Sequence, residues 1–497
     1  MNYPAWQLAI PGGLLIGMVA VLHVFLSHFA IGGGAYLVLA EHAAYKKDDA
    51  ELLAYVRRHA RFFALLTVVL GAVTGVGIWF TISLVSPEAT SSLIHAYVWG
   101  WAIEWVFFFV EIAAALIYVY QWDRLSRRAH LAVGWIYAVA AWLSLAVING
   151  IITYMLTPGR WLQTRGFWDG FFNPTYFPSL LLRTAMAVAL AGMFGLVTAR
   201  GAARERLVRR AGAWLAVGVV LLVPFAAWYR LRLPAPARGY LAGGIVAVRH
   251  AADAAALLAA LALVLALVFA LWKPRWMNPL ITAVLLACGL VVMGSGEYIR
   301  EVSRKPWSIG GYIYANDVRA ADVARITASG AAAASPWIAV AGDAPLARGH
   351  ALFAAQCGNC HSRDGYRAIR TRVRGWDAVF AREMLLHLTL IRGPMPEFAG
   401  NQDDRAALGQ YLAAVAAPRS PAASPAELGR QAFAMRCALC HTIGGQRRPL
   451  PLAGMEPDAI AEMVGSLSDL SSDMPPFTGG DAEKRALAEF LAQGTAP

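Results

Sequence analysis

The chain has 497 residues, of which 58% are hydrophobic and only 15% charged. A composition this apolar excludes an ordinary soluble protein and points to a polytopic membrane protein. The net charge of +12 reads as a topology signal rather than a nucleic-acid signature, because the basic residues gather in loops between apolar runs.

Eight such runs follow one another, near Leu14–Ala40, Phe63–Val85, Tyr97–Tyr120, Leu131–Met155, Leu180–Val197, Ala213–Trp228, Ala242–Trp272 and Pro279–Glu297. Most reach the roughly 20 residues that a bilayer core requires, the sixth being the shortest. Lys46, Lys47, Arg57 and Arg58 follow the first span, Arg124, Arg127 and Arg128 the third, Arg204, Arg206, Arg209 and Arg210 the fifth, and Lys273 and Arg275 the seventh. By the positive-inside rule those loops are cytoplasmic and both termini lie outside, although Arg160 and Arg165 fall in an outer loop. The expectation is an uncleaved first span serving as anchor. Cys288, alone in span eight, reads as a small buried hydrophobe.

Ionisable side chains within spans are costly and are functional candidates. Span one carries His23 and His28, span three Glu104 and Glu111, span seven Arg249 and Asp253, and span eight Glu297 and Glu301, followed by Arg304. His23, Glu104, Arg249 and Glu301 share the outer half in this topology. Arg249 and Asp253, four apart, also suit a structural pair, and His28 suits a helix-to-helix hydrogen bond.

After Trp307 comes an Ala/Gly/Ser-rich connector, "ASGAAAASPW", and then two similar units of about eighty residues. "QCGNCH" carries Cys357, Cys360 and His361, and "RCALCH" carries Cys437, Cys440 and His441. Cys-x-x-Cys-His places two thiols to join the haem vinyl groups and a His to ligate the iron, so two covalent haem c groups are expected. "GPMPEFAG" pairs with "SDMPPFTG", and the order helix, haem motif, Met-Pro turn, helix resembles class I cytochrome c. That resemblance makes Met395 and Met474 the sixth ligands, which suits electron transfer rather than gas binding. His350 and His387 read as surface or packing residues.

The membrane part resembles subunit I of the cytochrome bd oxygen reductases over most of residues 1–310. The matching pieces are "LHVFLSHFAIGGG", "VTGVGIWFTI", "AIEWVFFFVE" running on to "QWDRL", "YMLTP", "FFNPTYFP" and "REVSRKPW". The resemblance implies that His23 is the axial ligand of the oxygen-binding haem and Glu301 the ligand of a second high-spin haem. It places Arg304, Trp307 and Arg249 in the haem surroundings, and Glu104 and Glu111 on the proton route, though their spacing of seven is one short of the family's. A third, low-spin haem b has lost both family ligands: Arg183 in "SLLLRTA" and Ala251 in "VRHAAD" stand in their places, with His250 beside the latter. Glu297 stands where the family has Trp. The quinol-oxidising insertion is also missing, since only "WYRLRLPAPARGY" joins spans six and seven.

The expected fold is therefore all-α: a transmembrane bundle of about eight spans (1–310), a linker (311–340) and two small cytochrome c domains (341–420 and 421–497). The implied activity is that of a terminal oxidoreductase that takes electrons through the c haems to two non-covalent high-spin haems, b and d or both b, and reduces O2 to water. Implied surroundings are a bacterial cytoplasmic membrane and its lipid, a second membrane subunit, and a periplasmic donor such as a soluble cytochrome c. Two readings stay open beside it: a dihaem electron-transfer subunit without oxygen chemistry, and a quinol oxidase with a displaced quinol site.

Overall fold

The computed structural model describes residues 8–304, 309–315, 318–333, 335, 338–339, 341–342, 344–391, 395–443, 448–450, 452 and 454–494. They form two compact units, one of Leu15–Ser83 with Ala89–Gly311 and the other built chiefly on the residues from Tyr312 onward.

Eight helices of the first unit are long and apolar enough to cross a membrane: α1 Gly12–Lys46, α2 Ala50–Val85, α3 Val98–Tyr120, α4 Arg127–Tyr154, α5 Tyr176–Thr198, α6 Arg204–Arg232, α7 Val246–Trp272 and α8 Pro279–Arg304. The count agrees with the apolar runs, but the helices extend beyond them. α2 begins at Ala50, where the Asp49 carboxylate caps it by accepting from Leu52 N at 3.0 Å; α6 begins among the arginines that were read as a loop. Hydropathy reports only the stretch in the bilayer core, while long basic side chains let a helix continue with their charges held at its ends.

α5 is the central helix: 67% of its apolar stretch is buried, against 17% to 39% in the others. It packs backbone to backbone with α6 on small residues, since a Cβ at Gly192 would stand 2.4 Å from Leu215 N and one at Gly218 2.3 Å from Ala189 N. Without a hydrophobic force between helices in lipid, such close approach supplies the attraction. Around it lies an aromatic core, in which Phe29 stacks on Phe194 at 4.1 Å and Tyr36 OH meets Tyr55 OH at 2.9 Å.

The second unit holds two copies of one design. In the first, α10 Pro345–Gln356 crosses α12 Gln402–Val415, with α11 Ala378–Met384 between them in sequence; in the second, α13 Pro425–Ala432 crosses α15 Asp481–Ala492, after α14 Pro457–Gly465. Each crossing rests on a glycine. A Cβ at Gly349 would stand 2.3 Å from Ala407 O, and one at Gly429 2.1 Å from Ala486 O.

Part of the segment expected as a linker is structured. β1 Ile313–Ala315 pairs antiparallel with β2 Val318–Arg319, the only strands among the described residues, and α9 Val323–Ser329 follows. Ile326, Ala331 and Ile338 join Leu352, Phe353 and Leu408 in the core of the first copy, and Ala331 N donates to Asp404 Oδ2 at 2.6 Å.

Candidate functional site

In both copies the Cys-x-x-Cys-His motif forms one tight turn after its helix. His361 N and His441 N each donate to the carbonyl of the first cysteine at 2.9 Å, and the second cysteine's N does so at 3.0 and 3.1 Å. His361 Nδ1 lies 3.3 Å from Arg367 O, and His441 Nδ1 lies 2.9 Å from Arg448 O. A carbonyl only accepts, so Nδ1 carries the hydrogen and Nε2 keeps the lone pair that an iron requires. Burial lowers His361 to about 4, which keeps the ring neutral at physiological pH. Burial also pushes the Cys357 and Cys437 thiols up to about 12, and no cysteine is in a disulfide.

The residue before the first cysteine ties each motif to its Met-Pro loop. Gln356 exchanges hydrogen bonds with the Ala399 backbone at 2.7 and 3.2 Å, and Arg436 NH1 donates to Thr478 Oγ1 at 2.7 Å. Met395 and Met474 are half-buried in those loops. Both motifs thus fit a c-type haem held by its histidine, with Met395 and Met474 as the candidates for a second ligand. Met474→Ala is expected to leave a haem attached while lowering its midpoint potential, because thioether ligation favours reduced iron; an unchanged potential in spectroelectrochemistry would remove Met474 from the ligand set.

The same tautomer logic applies at His23 on α1. Its Nδ1 lies 3.2 Å from Thr74 Oγ1, and Thr74 spends its hydroxyl hydrogen on Leu70 O at 2.7 Å. The Thr74 oxygen must therefore accept, and His23 Nε2 is presented as a free lone pair. Gly75 makes room for the ring, since a Cβ there would approach His23 Cε1 to 3.1 Å. With this tautomer, His23 would be able to hold a haem iron through Nε2.

α8 carries a charged stripe at i, i+3, i+4 and i+7: Glu297, Arg300, Glu301 and Arg304. Arg183 NH2 on α5 reaches Glu297 Oε1 at 3.0 Å, and Arg300 holds Glu297 Oε2 through Nε at 2.8 Å and NH2 at 2.7 Å. Arg304 Nε donates to Glu301 Oε2 at 2.8 Å, and Arg304 NH1 meets Met155 Sδ at 2.9 Å. Glu297, which sequence reasoning left without a role, is the centre of a buried ion cluster with Arg183 and Arg300. His28 Nδ1 donates to Val24 O at 2.8 Å on its own helix, so the expected bond between helices is not the one formed, and its Nε2 has no hydrogen-bond partner among the described residues.

Three polar rungs join the antiparallel pair α3 and α4, each seven residues from the next on both helices. Glu104 Oε1 accepts from Ser144 Oγ at 3.0 Å; Glu111 Oε1 lies 3.0 Å from Tyr137 OH; His130 Nε2 lies 2.9 Å from Tyr118 O. α1 completes the second rung through Ala30 O, 3.2 Å from Tyr137 OH. It completes the third through the buried Glu41, whose Oε1 lies 2.6 Å from His130 Nδ1 and whose Oε2 accepts from Tyr118 OH at 2.6 Å. Seven residues make nearly two helical turns, so the spacing turns both glutamates toward α4.

Residues 14–230 match the family model described as cytochrome bd terminal oxidase subunit I, and residues 344–412 and 424–491 each match that of cytochrome c oxidase, cbb3-type, subunit III. The chain carries a cytochrome bd subunit I domain joined to two cytochrome c domains. The bd oxidase from Geobacillus thermodenitrificans superposes with a TM-score of 0.55 at 17% identity, over 62% of this chain and 90% of that one, which speaks for the fold alone. No curated protein matches. The pairing of domains points to respiratory electron transfer, with haem c implied by the tail domains and haem binding by the membrane domain.

Within the bd domain, the structure does not gather every expected residue. Arg249 Nε lies 3.1 Å from both Asp253 carboxylate oxygens on the exposed side of α7, the structural pairing that its spacing allowed. Trp307 lies outside the described residues. Glu41 and His130 went unnoticed in sequence, because each stands near a span end among basic residues and reads there as a solvated loop position; only the packing of three helices reveals them.

Proposed function

We propose that this bd-type chain is a cytochrome c-oxidising oxygen reductase: electrons from a soluble periplasmic donor pass through the two c haems to two non-covalent high-spin haems, which reduce O2 to water. The observation that carries this reading is the Arg183–Glu297–Arg300 cluster. A guanidinium committed to a buried carboxylate cannot ligate iron, so position 183 offers no ligand to the low-spin haem b that serves quinol oxidation, and α5 has no histidine to take its place. The tandem c domains supply the missing electron path, and the short α6–α7 connection speaks against a quinol site.

Bound haem supplies the oxygen and redox chemistry; the chain's residues orient it and move protons. His23 holds its ring through Thr74. The rungs along α3 and α4, about 10 Å apart along each helix, suit proton storage. Tyr137 has one hydroxyl hydrogen and two acceptors, so when Ala30 O takes it, Glu111 must itself carry a proton to make its bond. Glu41 and His130 are joined by a 2.6 Å Oε1–Nδ1 hydrogen bond, which extends the row of rungs to α1. The exposed apolar side chains of α2 and α3, among them Val76, Phe80, Trp105 and Phe109, suit lipid or a second membrane subunit. The gathering of Lys and Arg in alternate loops supports a periplasmic side for the c domains.

The test is a haem inventory of the purified protein by pyridine haemochrome, carbon monoxide difference spectra, and oxygen uptake with reduced cytochrome c. Two c haems with two non-covalent haems, one binding carbon monoxide, and uptake that falls in Glu111→Gln are expected. Two c haems alone would refute the reading in favour of a dihaem electron-transfer subunit.

A further inference from the structure

Arg300 is under-satisfied in an otherwise paired cluster. Its Nε and NH2 are committed to Glu297, while NH1 is buried with no hydrogen-bond partner among the described residues. An unmet donor on a buried guanidinium costs more than a neutral one, so the position calls for an acceptor. The surrounding charge calls for the same thing: among the described residues Arg183, Arg300 and Arg304 are ion-paired with Glu297 and Glu301, three positive charges against two negative ones. Arg300 and Glu301 are consecutive on the stripe, and Arg300 lies within electrostatic reach of both glutamates and of Tyr229. A single carboxylate placed against NH1 would satisfy the donor and neutralise the cluster. A haem carries carboxylates at its edge, and Glu301 is the residue that the proposed function assigns to an iron.

We infer that Arg300 NH1 binds a propionate of the haem at Glu301, with Glu297 and Arg183 fixing the guanidinium's orientation. This rests on the reading above that a haem sits at Glu301. It gives the cluster two tasks. One end closes the abandoned haem b position, and the other anchors the neighbouring haem and raises its potential, because a fixed cation close to the ring stabilises the reduced state.

The experiment compares the full-length wild type, Arg300→Met and Arg300→Lys, purified with their haems, by haem inventory and spectroelectrochemistry without oxygen. Arg300→Met should make the non-covalent haem substoichiometric against haem c, or lower the midpoint potential of one membrane haem, with both c haems unchanged. Arg300→Lys retains the charge toward Glu297 but lacks the second face of the fork, so it should give the smaller change in the same direction. If Arg300→Met does not accumulate, Arg300→Lys carries the test by itself. A variant with wild-type haem ratio, spectrum and potentials overturns the inference. A wild type with no non-covalent haem overturns the underlying reading instead, and the two failures are told apart by the wild-type inventory.

Discussion

His23→Ala should abolish oxygen reduction and carbon monoxide binding while leaving both c haems attached and reducible. Thr74 makes no contact with iron in this scheme and only orients the ring, yet loss of such a partner costs about 10–100-fold in affinity or activity, so removal of the ligand itself should cost at least about 100-fold. The comparison gives the experiment its internal scale. Thr74→Val, which keeps the shape but removes the oxygen that accepts from Nδ1, should fall between wild type and His23→Ala in oxygen uptake and in the carbon monoxide spectrum. The covalent haems depend on Cys357, Cys360, Cys437 and Cys440 and provide a concentration standard in the same sample. Full oxygen uptake in His23→Ala would sink the assignment of the oxygen site.

Glu297→Leu should be the most destabilising single change in the membrane domain. It strips from Arg183 and Arg300, whose side chains are 11% and 16% exposed, the carboxylate to which both are hydrogen-bonded, and breaking a buried pair in this way typically costs about 3–5 kcal/mol. Arg183→Met removes one partner but leaves Glu297 held by both remaining bonds from Arg300, so it should be the milder lesion. The ordering is checked by thermal unfolding in detergent and by detergent-extracted yield. Equal stability of Glu297→Leu and wild type would mean that water reaches the cluster and screens it.

The parts of the site that are local in sequence were legible from it. A haem c motif needs two thiols and an imidazole on one turn, so six residues suffice, and the repeat of His361 at His441 with Met395 at Met474 declared two copies. Eight apolar runs announced eight helices for an equally local reason, since every residue in a bilayer core must be apolar or paired. The helix ends at Asp49 and among Arg204, Arg206, Arg209 and Arg210 escaped notice, because charged residues read as loop until their side chains are seen reaching past the span.

What depends on two or three helices meeting was decided by the tertiary structure. Arg183 and Glu297 are 114 positions apart, and each alone looked like a lost ligand or an anomaly; together they are one bonded unit. Glu41, Tyr118 and His130 come from three helices. The segment carrying Ile326 and Ala331 has the composition of a linker, but Asp404 and the core of the first cytochrome c domain give it partners. Composition, spacing and motif state which chemistry a stretch of chain can perform. Which buried charge neutralises which, and which polar group is left waiting for a ligand, is settled only where helices distant in sequence are brought within a few ångströms.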